Sequence, residues 1–144
     1  MVGAASVTER LMTFQVEPSP EYAVHARAEF MAIARAVGFE GLALQEFVVA
    51  FGEAVSNAIL YGRCGDGCMI DVRCRVASSQ PALVVEICDS GPGFNVESAR
   101  VANDIDDING RGLTMMRALV DDMEIETSAT GTTVRLRKVV SPEA

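Results

Sequence analysis

Residues 42–61 read LALQEFVVAFGEAVSNAILY, and the way this stretch folds decides the rest of the chain. At 100° per residue, Leu44, Val48, Phe51, Val55 and Ile59 fall in one apolar stripe, so the segment reads as an amphipathic helix closed by Gly62. Glu53 and Asn57, four positions apart, share a face roughly opposite that stripe. A polar helix face is ordinarily a solvated one. The sharper alternative is a carboxylate and an amide oxygen stacked one turn apart, able to hold a base and a metal together. Asparagine offers a neutral oxygen suited to Mg2+, which keeps several waters and prefers phosphate oxygens as its other partners.

Working outward, Met12 to Val16 reads as a first strand. Ser19-Pro20 then predicts a helix start, with serine as cap and proline at the first helical position. The stripe Ala26, Phe30, Ile33, Val37 carries that helix to a glycine cap at Gly38. Downstream, Ile70, Val72, Cys74 and Val76 alternate with Asp71, Arg73 and Arg75, a half-buried strand of period two. Leu83, Val85 and Ile87 mark the next strand. Residues 89–109 lack clear periodicity and read as loop with a helical turn. Leu113, Met116, Leu119 and Val120 mark a third helix behind Gly110-Arg111-Gly112. Met123 to Thr127 and Thr132 to Lys138 close the chain as two strands around a turn containing Gly131. With no repeat or long linker, residues 1–144 read as one domain whose core spans about 12–138. The expected fold is an α+β two-layer sandwich, a mixed and mostly antiparallel sheet covered on one face by three helices.

Composition narrows the function. The chain has 144 residues, 12 basic and 20 acidic, for a formal net charge of -8, and 49% of its residues are hydrophobic. Such a balance gives no generic attraction to phosphate backbones or anionic lipid, so direct nucleic-acid binding and membrane association are not expected. The N-terminus lacks a basic segment followed by an apolar one, and no apolar run approaches the roughly 20 residues that span a bilayer. A cytoplasmic location is expected. The four cysteines, Cys64, Cys68, Cys74 and Cys88, lie in one stretch, and reduced thiols fit that location better than a disulfide framework. Cys64 and Cys68 form a C-x3-C pair without a second pair or a nearby histidine, too few ligands for a usual zinc site.

Three further sites could carry chemistry. In Asp89-Ser90-Gly91-Pro92-Gly93-Phe94, strand alternation puts Asp89 on the same face as Leu83, Val85 and Ile87, the face that packs on the helices. A carboxylate aimed at a core is costly unless hydrogen bonds reach it. The segment is either a plain turn or a pocket floor whose carboxylate accepts from a ligand amino group, with Gly91 and Gly93 letting backbone approach the ligand. Gly110-Arg111-Gly112 before a helix bares an N-terminus whose free N–H groups favour phosphate. Thr132 shares a strand face with Val134 and Leu136, so its hydroxyl points to the same interior as Asp89.

Taken in order, EAVSNA at 53–58, DSGPGF at 89–94, GRGL at 110–113 and GTTV at 131–134 resemble the boxes of the GHKL ATPases, which share the Bergerat ATP-binding fold. The run from Gly112 to Asp121 is similar to that of the anti-sigma-factor serine kinases of the RsbW and SpoIIAB type. The resemblance spans Phe14 to Lys138. It implies Glu53 as the catalytic base or hydroxyl-orienting carboxylate and Asn57 as the Mg2+ ligand. It further implies Asp89 as acceptor for the adenine amino group, with Thr132 supporting the same ring edge. Gly91 and Gly93 would line the pocket, Gly110 and Gly112 would meet the phosphates of ATP, and residues 95–109 would form a lid. Arg111 or Arg100 would reach the γ-phosphate.

The expected activity is then phosphorylation of a serine on a STAS-domain anti-sigma antagonist, with sequestration of a sigma factor and a homodimer built on the first strand and helix. Three alternatives share the boxes: a switch-type kinase acting on another signalling partner, the ATP module of a histidine kinase, and a non-catalytic ATP-binding partner module. For the second, His25 is the only histidine, and the Ala-Arg-Ala-Glu that follows lacks an acid-first pattern. The family often carries histidine four residues after the asparagine; here Tyr61 stands there.

Overall fold

Period-two patterning makes strands of five elements in the computed structural model, which describes residues 10–62, 67–77, 81–91 and 108–140. They are β1 (Arg10–Val16), β2 (Ile70–Ala77), β3 (Ala82–Asp89), β4 (Asp122–Ser128) and β5 (Gly131–Val139). The sheet order is β1-β2-β3-β5-β4, and every neighbouring pair is antiparallel. The sheet expected to be mixed therefore has no parallel pair among the described strands. Two hairpins, β2–β3 and β4–β5, join through β3 and β5, which run in opposite directions.

One sheet face is apolar: Val72, Cys74, Leu83, Val85, Ile87, Val134 and Leu136 are buried there. Three helices cover it: α1 (Tyr22–Val37), α2 (Gly41–Tyr61) and α3 (Ile108–Leu119). α2 lies over β3 and β5, with α1 beside it toward β1 and α3 on its other side toward β4. Phe30 of α1 stacks on Phe51 of α2 with ring centroids 4.3 Å apart and meets Phe47 edge-on at 5.0 Å. Each such ring, fully buried, stabilises the fold by roughly 1.5–3 kcal/mol. The other sheet face is polar; Arg135 of β5 there reaches Glu86 of β3 at 2.7 Å and Glu124 of β4 at 2.6 Å.

Two helix starts differ from expectation. α1 begins at Tyr22 with Glu21 as its cap residue. The Ser19 hydroxyl donates to Glu21 Oε1 at 2.8 Å instead of capping, and the carbonyls of Ser19 and Pro20 close a turn onto the N–H groups of Tyr22 and Ala23. α3 begins at Ile108, so Gly110-Arg111-Gly112 runs inside the helix and not ahead of it. The glycine cap at Gly38 is as read: at φ 126° its N–H bonds the carbonyls of Ala34 and Arg35.

α2 also qualifies the reading of apolar runs. It is the one described helix long and apolar enough to cross a membrane by length and composition, and most of its apolar window is buried inside the domain. Among the cysteines, Cys68 is disulfide-bonded, against the reduced-thiol expectation, while Cys74 and Cys88 are free. Burial pushes the Cys74 thiol up to about 12, so it stays protonated and packs as a small apolar group.

Candidate functional site

The second half of α2 places Glu53 and Asn57 one turn apart, but not on a solvated face. Asn57 is only 8% exposed because α3 runs across it. The crossing is close where α3 has no side chain: a Cβ built on Gly112 would stand 3.0 Å from Glu53 Oε1 and 3.7 Å from Asn57 Nδ2. Leu113 and Met116 bury the same helix against the core, which keeps Gly112 aimed at α2. The Asn57 amide makes no hydrogen bond to the described residues. A buried amide left in that state costs about 1–3 kcal/mol, an expense that a bound oxygen-seeking cation or a ligand offsets.

Asp89 ends β3 directly opposite Thr132 of β5. Its carboxylate accepts the Gly91 N–H at 3.0 Å and is also hydrogen-bonded by the Thr132 backbone. Burial pushes its carboxyl above the ordinary aspartate value, and the two backbone bonds pull it back in part. Thr132 is buried, and its hydroxyl is 2.8 Å from that of Thr127 on β4. Asp89, Thr127, Thr132 and the β4–β5 turn line a cleft of about 390 Å3.

A residue read only as a helix end joins these two groups. Gly62 caps α2 with its N–H on the Ala58 carbonyl, five residues beyond Asn57, and lies against Asp89. A Cβ on Gly62 would stand 2.5 Å from Asp89 Cγ and 2.5 Å from the Ala58 carbonyl oxygen. A Cβ on Gly91 would in turn meet the Gly62 backbone at 2.5 Å. The two glycines let the end of α2 and the exit of β3 touch backbone to backbone, which brings the Asn57 end of the helix to the Asp89 floor. The sequence signal was a glycine at each position; their contact was not readable.

Of the expected site residues, Glu53, Asn57 and Gly112 come together across α2 and α3, and Asp89, Gly91 and Thr132 come together at the ends of β3 and β5. Gly110 and Arg111 belong to the start of α3, and their surroundings lie outside the described residues. Gly93, Arg100 and the expected lid up to residue 107 also lie outside them. Lys138 was not anticipated. Its ammonium donates to the Leu119 carbonyl at the end of α3 at 2.7 Å and pairs with Glu46 of α2 at 3.4 Å. That cation ties α3 to α2 and complements the negative end of the α3 dipole.

A helix crossing therefore covers a half-buried carboxylate and a buried amide, above a sheet whose aspartate faces a threonine. Residues 16–138 match the family described as histidine kinase-like ATPase domain, and the chain belongs to that family. Within it, the chain is similar to the serine-protein kinase RsbW of Bacillus pumilus, 25% identical over 94% of this chain and 90% of that one. It is also similar to RsbW of Listeria monocytogenes, 26% identical over 79% of this chain and 78% of that one. Among solved structures, the RsbU and RsbW domains of a Mycobacterium tuberculosis protein superpose with a TM-score of 0.72 at 23% identity, over 94% of this chain and 34% of that longer chain. The histidine kinase domain of a blue-light-activated kinase from Erythrobacter litoralis gives 0.57 at 18% identity, over 84% of this chain and 60% of that one. These two likenesses concern the fold. The chain is thus an RsbW-like member of the histidine kinase-like ATPases.

Proposed function

We propose that this chain is an ATP-dependent protein serine kinase and anti-sigma factor of the RsbW kind, acting in the cytoplasm on a STAS-domain antagonist and holding a sigma factor otherwise. The observation that carries it is the buried Asn57 amide, without a hydrogen bond to the described residues, one turn from Glu53 on the helix whose end reaches Asp89.

The donor set suits ATP-Mg2+. Asn57 supplies one neutral oxygen, and no group of three or more acidic, histidine or cysteine side chains stands among the described residues to cage a metal alone. Magnesium held in that way takes its remaining partners from phosphate and water. Asp89, fixed by the Gly91 and Thr132 N–H groups, offers its carboxylate to the adenine amino group, and Thr132 and Gly91 border the same edge. Gly112, Gly110 and Gly93 are the expected phosphate-side glycines, with Arg111 or Arg100 as the γ-phosphate contact. Bound ATP-Mg2+ supplies the transferable phosphoryl group and neutralises its charge. Glu53 orients the substrate serine hydroxyl and accepts its proton as the oxygen attacks. α3, lying over Asn57, keeps water from the reacting groups.

The homodimer belongs to the same proposal. A cleft of about 280 Å3 between β1 and α1, lined by Phe14, Val16, Tyr22 and Ala26 among others, supports that face as the docking surface. The test is Glu53→Ala, incubated with ATP-Mg2+ and the STAS-domain proteins of the same genome. ATP binding is retained and serine phosphorylation is lost; phosphorylation at the wild-type rate removes Glu53 from the mechanism.

A further inference from the structure

β1 meets α1 over a cleft that holds two carboxylates and no lysine or arginine. Glu17 and Glu29 line it with the rings of Phe14, Tyr22 and His25. Neither glutamate side chain has an ion pair or hydrogen bond among the described residues. Arg27 does not supply the missing cation: it stands two positions after His25, on roughly the opposite side of α1, and its stem lies on Gly52 of α2. A Cβ built on Gly52 would be 3.0 Å from Arg27 Cδ. Aromatic walls around unpaired carboxylates suit a guanidinium, which stacks on rings and pairs with carboxylates through its fork of N–H groups.

The cation that fits stands at the other end of β1. Arg10 opens the strand, is exposed, and by alternation shares the face of Met12, Phe14 and Val16, the face that α1 covers. Its guanidinium also has no partner among the described residues. Six residues of strand, about 20 Å, separate it from Val16 at the cleft, so it cannot enter the cleft of its own chain. A second copy removes that distance. β1 is an edge strand, hydrogen-bonded to β2 alone. Two such strands laid antiparallel with all seven residues overlapped have their two-fold axis at Thr13 and set Arg10 of each copy opposite Val16 of the other. Opposed residues share a face about 4.5–5.5 Å apart, which brings each guanidinium to the cleft of the other copy. A one-residue slip would turn it to the wrong face.

We infer that the cleft is the receptor for Arg10 of a second copy, each chain giving one guanidinium to Glu17 and Glu29 of the other. The inference rests on the homodimer reading above and adds to it the residue that fills the docking surface and the register in which the two strands meet. Both contacts are made by the same residues, so the interface is self-complementary and closes at two copies.

Sedimentation of the whole chain, 15.3 kDa per copy, measures the dimer dissociation constant. Arg10→Glu raises it about tenfold or more by setting carboxylate against carboxylate at both contacts, and Glu17→Lys/Glu29→Lys does the same by setting cation against cation. Mixed one to one, the two variants return to within about threefold of the wild-type constant, because the mixed pair opposes unlike charges at both contacts. A wild-type dimer whose constant is unchanged in both variants overturns the Arg10 contact alone. Variants that dimerise more weakly and do not recover on mixing overturn it as well. A wild type that stays a monomer at about 100 μM overturns the homodimer reading and the contact with it.

Discussion

Replacing Gly62 by alanine tests the backbone contact on which the site is built. The new Cβ would stand 2.5 Å from the Ala58 carbonyl oxygen, 2.5 Å from Asp89 Cγ and 2.6 Å from Asp89 Cβ. Carbon atoms in ordinary contact sit about 3.5–4.0 Å apart, so roughly 1 Å of movement is required. The Ala58 oxygen cannot supply it, because it is helix backbone accepting the Gly62 N–H at 2.8 Å. Asp89 can supply it only by leaving its bonds to Gly91 and Thr132. Overpacking of this kind costs about 1–3 kcal/mol, and disturbing a charged hydrogen bond adds about 1–2 more. At about 3 °C per kcal/mol for a chain of this length, the melting temperature falls by roughly 6–15 °C. ATP affinity falls about tenfold or more, since the displaced carboxylate is the proposed adenine acceptor. Gly112→Ala is the internal comparison: its nearest neighbour is Glu53 Oε1 at 3.0 Å, the end of a flexible side chain, so melting shifts by about 3 °C or less. Differential scanning fluorimetry and titration with a fluorescent ATP analogue read both quantities. A Gly62→Ala protein that melts and binds like wild type, or a Gly112→Ala protein that melts lower than it, refutes the reasoning.

Further predictions follow from the same geometry. Because burial raises the Asp89 carboxyl above its unfolded value, the folded state holds that proton more tightly than the unfolded chain. Its stabilising contribution is therefore present below the unfolded pKa and lost as pH rises through the folded one. The urea midpoint of wild type minus that of Asp89→Asn should fall with rising pH across the carboxylate range and then level off, and a flat difference from about pH 3 to 7 counts against it. Asn57→Ala should erase the gain in ATP affinity that Mg2+ gives over EDTA; calorimetry showing the wild-type gain removes Asn57 as ligand. Lys138→Met leaves the end of α3 and Glu46 without their cation and should cost about 1–3 kcal/mol in urea denaturation. A loss below about 0.5 kcal/mol would place that tie among inert surface contacts.

The sequence made the strands and the central helix legible because burial on one face writes itself as a period. Leu83, Val85 and Ile87 point inward as their alternation required, and Asp89 continues their face to meet Thr132. Helix starts were harder. Ser19-Pro20 carries good capping chemistry, but the serine hydroxyl found Glu21, a competition between two local partners that propensity does not resolve. Gly110-Arg111-Gly112 looked like a break because glycine is a poor helix former. Packing overrode the propensity: Leu113 and Met116 bury α3 in the core, and Gly112 faces Glu53 where α3 crosses α2. The burial of Asn57 was misjudged for the same reason, since the helix that hides it lies 50 residues away. No local pattern announces the Gly62–Gly91 contact, where two backbones meet, or the Lys138 tie, which joins β5 to α2 and the end of α3.

The sheet has two unlike rims, which bears on how copies of the chain can add to one another. The outermost strand on one side, β4, carries Asp122, Glu124 and Glu126 at alternate positions, so two such strands laid side by side would set carboxylates against carboxylates. On the other side β1 offers Leu11, Thr13 and Gln15 at the matching positions, with no charge to repel a twin. Among the described strands, β1 alone presents an edge that a symmetric copy could meet without like charges. Once made, that pairing leaves only acidic rims outside, and growth by that route terminates at a pair instead of propagating into a fibre.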